Sequence, residues 1–200
     1  MPSRLPPMAL VPALLVLITG FIVHAPGRSD AQGAKRPAAA PASKSAPMTG
    51  QGETGLPEPV VRMREAILEA VRAGRLDDLK TAIELNELKP EISDGTNGDQ
   101  IAALRALSAD GQGSDVLAAI GGILEAPWIA VPLGRDPENN RIFVWPRLAE
   151  MALDTLSADD AAALAAIVGA DAAEAMRKAG RYSHWRLGIG ADGTWHYLRR

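Results

Sequence analysis

The residues best suited to chemistry lie in one polar loop, Gly134-Arg135-Asp136-Pro137-Glu138-Asn139-Asn140-Arg141. It sets two arginines, two carboxylates and two amides beside apolar runs. Asp136 and Glu138 have the residue types of a paired general acid and base, and Arg135 and Arg141 could stabilise developing negative charge. The same residues also suit a turn: Asp-Pro and Asn-Asn favour turn geometry, and Arg–carboxylate pairs order loops. The structural reading of this loop is preferred. Asp136, Glu138, Arg135 and Arg141 are kept as the catalytic alternative.

Three further patterns invite chemistry and fail on spacing. Gly188-Ile189-Gly190-Ala191-Asp192-Gly193 has the GxGxxG form. A dinucleotide fingerprint requires a helix after it and an acid about 20 residues on. Here a strand-like run follows, so the segment is a β-turn and no cofactor is expected. His184 and His196 would share a strand face with His196 opposite Gly188, four residues from His184. At about 3.3 Å per residue that is roughly 13 Å, too far for two zinc–nitrogen bonds of about 2.0–2.1 Å. No metal site follows, and with no cysteine there are neither thiolate ligands nor disulfides. Trp128, Trp145, Trp185 and Trp195 could form a sugar-stacking platform. A shared core is the preferred reading, because the chain has only two phenylalanines to help fill one. No nucleophile elbow, P-loop or zinc-protease motif is present.

These residues need a fold to position them. Arg4 precedes an uncharged run from Met8 to Val23, the pattern of a secretory signal. The run is short for a membrane span and is interrupted by Pro12 and Gly20. Ser29-Asp30-Ala31 is the preferred cleavage site, giving residues 1–31 as signal peptide; Val23-His24-Ala25 also fits but leaves Pro26 first. Residues 32–58, rich in Pro, Ala, Gly and Ser, read as a disordered linker. Residues 59–200 read as a single α+β domain. The expected localisation is periplasmic or secreted, with no stable membrane span after cleavage.

Val60, Met63, Ile67 and Val71 mark one face of a first helix, stopped at Gly74. Leu76, Leu79 and Ile83 mark a second, and the two read as a helical hairpin. Lys89 to Gly98 reads as a loop. Asp99 caps a helix carrying Ile101, Leu104 and Leu107; Asp110-Gly111-Gln112-Gly113 breaks it; Val116, Ile120, Ile123 and Leu124 define the next. Gly121-Gly122 inside that helix costs about 1 kcal/mol per glycine relative to alanine, and close packing by a neighbour would be a sufficient reason for it. Two antiparallel hairpins, about four short strands, complete the fold. One is Trp128–Leu133 with Arg141–Trp145, the first strand placed at an edge by Pro132. Between them Ser157 with Asp160 opens a helix that ends at Gly169, and a short one closes at Gly180. In the last hairpin, Tyr182–Ile189 with Thr194–Arg199, a three-residue loop puts Gly193 in the left-handed position. It pairs Ile189 with Trp195, Leu187 with Tyr197 and Trp185 with Arg199. No repeat of 30–45 residues supports a solenoid.

Charge is uneven. Residues 59–174 hold 10 Lys and Arg against 20 Asp and Glu; residues 175–200 hold 6 against 1. Intramolecular complementarity explains the asymmetry, with a basic surface for an anionic partner as the sharper option. Nucleic acid does not suit an acidic, exported chain.

Val131-Pro132-Leu133-Gly134-Arg135-Asp136-Pro137-Glu138-Asn139-Asn140-Arg141 with Val144-Trp145-Pro146, and the closing Gly188 to His196, resemble a family of uncharacterised exported bacterial proteins. The resemblance covers most of residues 59–200. It implies export and a shared fold, and brings no activity or catalytic residues. The leading expectation is therefore a non-catalytic periplasmic binding or envelope-associated module whose partner is an envelope component or small ligand. The alternative is a small periplasmic hydrolase built on the carboxylates of the 134–141 loop.

Overall fold

The computed structural model describes residues 47–93, 98–133 and 140–200. Residues 1–46 and 134–139 lie outside it, and with them the signal segment, most of the linker, and Arg135, Asp136 and Glu138. The described chain is α+β, with six α-helices and one mixed sheet of six strands.

Helix α1 (Glu58–Ala73) begins at a proline turn and ends at Gly74, whose φ of 67° and N–H bonds to Ala70 and Val71 close it. A 3₁₀ turn over Leu76–Asp78 leads into α2 (Leu79–Glu84). Helix α3 (Gln100–Leu107) starts where Asp99 accepts the N–H groups of Ile101 and Ala102 at 2.9 and 3.1 Å. This is a conventional side-chain N-cap, satisfying donors that have no intrahelical partner. Helix α4 (Ser114–Glu125) follows the Asp110–Gly113 break. There the Asp110 carboxylate accepts from the N–H groups of Gln112 and Gly113 and from Ser108 Oγ, which hold its pKa well below the ordinary carboxyl range. Helices α5 (Ala158–Val168) and α6 (Ala170–Ala179) meet at Gly169, and Ser157 caps α5 through Asp160 N–H at 3.1 Å.

Strands β1 (Met48–Gly50), β2 (Glu91–Ile92), β3 (Trp128–Pro132), β4 (Arg141–Trp145), β5 (Arg186–Gly190) and β6 (Trp195–Arg199) lie in the order β1-β3-β4-β5-β6-β2. All neighbours are antiparallel except β2 and β6. One face carries Trp128, Phe143, Trp145, Leu187, Ile189, Trp195 and Leu198 into a core with α1 to α4. The other face carries Ile129, Ile142 and Val144 with Tyr197 and Ala149. Helices α5 and α6 enclose a separate small cluster of Leu148, Leu153, Leu164, Ala173 and Met176.

Four expectations are corrected. The linker does not run to residue 58: Met48–Gly50 is a sheet strand, pairing with Trp128–Ala130. Strand β3 is therefore not an edge. Pro132 lies beyond its pairs with β1, so its missing donor breaks none of them. The loop from Lys89 to Gly98 contains β2, which makes the sheet six-stranded rather than a pair of two-stranded hairpins.

The fourth correction is register. Ile189 faces Trp195 and Gly193 adopts φ 90°, as the three-residue loop requires. A bulge then adds one residue to β6, so Tyr197 faces Gly188, Leu198 faces Leu187 and Arg199 faces Arg186. An unbroken ladder would drive Arg199 into the core and turn Leu198 outward. The bulge buries Leu198 completely and leaves Arg199 over the Tyr197 ring, 4.7 Å from its centroid, paired with Glu91. One extra residue reverses the faces downstream, and burial of the leucine decides where it falls. Gly188 admits the tyrosine: a Cβ there would sit 2.6 Å from Tyr197 Cζ.

Candidate functional site

Of the four loop residues with catalytic potential, only Arg141 lies among the described residues. It opens β4 opposite Pro132, and its carbonyl accepts the Ala191 N–H at 2.9 Å. The backbone there ties the first hairpin to the last turn. The four tryptophans are buried, none more than 4 % exposed, so their faces pack in the core and offer no stacking platform.

The histidines are set apart by the fold. His184 precedes β5 and is half-buried near Ser183, Arg181 and Arg200. Burial and the Arg200 charge lower its pKa. His196 occupies the bulge rather than the position opposite Gly188. Its Nε2 and Asp192 Oδ1 each lie 2.7 Å from where a Gly190 Cβ would stand. Asp192 is committed to the turn, accepting Thr194 N–H at 2.9 Å and Thr194 Oγ1 at 3.0 Å, which lowers its pKa. Among the described residues no three His, Asp or Glu side chains are grouped to hold a metal ion.

Two open clefts flank the segment that follows α2. The first, of about 480 Å³, lies between α2 and α3. Its floor is Ile83 and Ile101, both nearly buried, and its walls carry Asp77, Lys80, Glu84, Lys89, Asp99 and Arg105. The second, of about 520 Å³, lies between Leu85–Leu88 and the Asp192–His196 turn. Leu85 and Leu88 are 62 % and 80 % exposed at its rim. Asn86 fixes the segment between the clefts. Its Oδ1 accepts the Trp195 N–H at 2.7 Å, and its Nδ2 donates to the carbonyls of Ala82 and Ile83 at 3.1 and 3.3 Å.

The first cleft is the better built. Arg105 holds Asp77 with both oxygens at 3.0 Å, bracing α3 against the start of α2. Asp99 caps α3 through Oδ1 alone. Lys80 and Glu84 approach only to 3.7 Å, and Lys89 Nζ is 3.5 Å from the Gly98 carbonyl. The lining also includes Gln100, 4 % exposed and without a hydrogen-bond partner among the described residues. The large majority of buried side-chain polar atoms in folded proteins are paired.

No sequence motif marks these residues. Gln100 follows a helix cap, a position ordinarily exposed, yet it is 4 % exposed in the fold. Comparison with family models, with curated proteins and with solved structures returned no match to this chain.

Proposed function

We propose that this chain is an exported, non-catalytic binding module of the bacterial envelope, taking a small ligand in the cleft between α2 and α3. The observation that carries the reading is Gln100: a nearly buried amide, without a hydrogen-bond partner among the described residues, on the lining of an open cleft of ligand size. Ligand sites are concave, of about 300–1,000 Å³, largely apolar, with a few placed polar groups. The cleft has that volume, an apolar floor and a polar rim. In this reading α1 and α2 act as a helical hairpin whose second arm supplies Lys80, Ile83 and Glu84. The export part rests on Arg4 with the uncharged run Met8–Val23 and on the resemblance to exported bacterial proteins. Among the described residues no helix is long and apolar enough to cross a membrane.

Equilibrium dialysis of the purified chain against a periplasmic small-molecule extract, read by mass spectrometry, tests the proposal. A compound retained unchanged, and released by Gln100→Leu, is the expected result. A parallel panel of hydrolase substrates is expected to show no turnover. Reproducible turnover by the purified chain would overturn the non-catalytic reading, and retention of nothing would overturn the site.

A further inference from the structure

The charges around Gln100 narrow the class of ligand, on the premise that the cleft is a binding site. The rim carries Lys80, Lys89 and Arg105 against Asp77, Glu84 and Asp99, so it is balanced in sign. Arg105 and Asp77 neutralise one another through the two 3.0 Å bonds. Lys80, Lys89, Glu84 and the second oxygen of Asp99 remain, two cationic and two anionic groups with at most loose partners among the described residues.

Such a rim opposes a ligand of one sign. A phosphate or dicarboxylate meets the carboxylates of Glu84 and Asp99, and a metal ion meets the two ammonium groups. A neutral sugar would want an aromatic face to stack on, and among the described residues none that lines the cleft is aromatic. A molecule with one ammonium and one carboxylate satisfies both signs. Between its charged ends the Gln100 amide offers one acceptor and two donors, the complement of a peptide group. Ile83 and Ile101 leave an apolar floor for small side chains.

We propose that the α2–α3 cleft binds a short zwitterionic peptide, with its peptide group on Gln100, its carboxylate toward Lys80 and Lys89, and its ammonium toward Glu84 and Asp99. Both free termini and the amide between them are read together, so blocking either end leaves one pair of charges on the rim unmatched.

Calorimetric titration of the chain with L-alanyl-L-alanine, its N-acetyl derivative, its C-terminal amide, and inorganic phosphate tests this. The free dipeptide is expected to bind, each blocked form about tenfold or more weakly, and phosphate not at all; one charged hydrogen bond is worth roughly that factor. Gln100→Leu is expected to weaken the dipeptide about tenfold. Because Gln100 is buried, Lys89→Gln on the exposed rim is the second variant; it should weaken the dipeptide while leaving affinity for the amidated form unchanged. Equal affinity for free and blocked forms, or a dipeptide affinity unmoved by both substitutions, would overturn the proposal. Failure of every dipeptide, with a different compound retained in dialysis and released by Gln100→Leu, removes the peptide class and leaves the binding module standing. Failure of both experiments removes both.

Discussion

Gly193 shows how much one backbone angle decides. Its φ of 90° closes the three-residue turn through Gly193 N–H to the Gly190 carbonyl at 2.8 Å, and that turn sets the Ile189–Trp195 pair. A side chain there would also meet α1, since a Cβ would stand 2.8 Å from the Pro59 carbonyl oxygen. Gly193→Val is expected to destabilise the fold by about 1–3 kcal/mol from the backbone conformation alone, with the Pro59 contact adding to it. A thermal midpoint equal to the parent's would show that the turn is not formed this way. The turn was legible because its glycine, its length and the apolar residues around it all agree. Gln100 was not, because a glutamine after a capping aspartate reads as a solvated first turn. Its burial arises in the tertiary packing around α3, which its position in the sequence does not announce.

The elements that could be read in advance are those long enough to show a period. Helix α1 repeats its apolar face four times, and its terminating glycine stands where the period stops. Strands β1 and β2, of three and two residues, have no period to detect, and their sequences read as linker and loop. The bulge in β6 was hidden for another reason. Local alternation is satisfied by either register, and only the competition between Leu198 and Arg199 for the core selects one. The paired glycines of α4 offer a quantitative test at this scale. A Cβ on Gly121 would lie 2.9 Å from Val71 Cγ1 of α1, so the helices touch there. A Cβ on Gly122 would meet nothing within 4 Å. Close packing thus accounts for the first glycine and not the second. Replacing glycine by alanine inside a helix gains about 0.8–1 kcal/mol where space allows. Gly122→Ala is therefore expected to raise stability by roughly that amount, and Gly121→Ala to gain less or to lose. Chemical denaturation of both variants checks the order, and Gly121→Ala proving the more stabilising would contradict the α1–α4 contact.

At the scale of the whole molecule, the basic end of the chain is partly answered within the fold. Arg199 pairs with Glu91 and Lys178 with Glu174. The same scale fixes where the folded unit begins. Strand β1 pairs with Trp128–Ala130, and its end and the turn after it lie against the Trp128 ring: a Cβ on Gly50 would clash with that ring, and one on Gly55 would stand 3.5 Å from Trp128 Cζ2. Leu56 packs on the same core. A chain cut at residue 59, where the apolar periodicity starts, keeps every helix save the first residue and N-cap of α1, but loses this cover. Uncovering on the order of 80–100 Å² of apolar surface costs about 2 kcal/mol at about 25 cal/mol per Å², before any loss of ladder hydrogen bonds. With a urea dependence of about 1–3 kcal/mol per molar for small domains, residues 59–200 should unfold roughly 1 M earlier than residues 47–200. The shortened chain should also show Trp128 more accessible to a fluorescence quencher. Coincident unfolding curves and equal quenching would mean that β1 adds nothing to the domain, and that residues 47–58 belong to the linker after all.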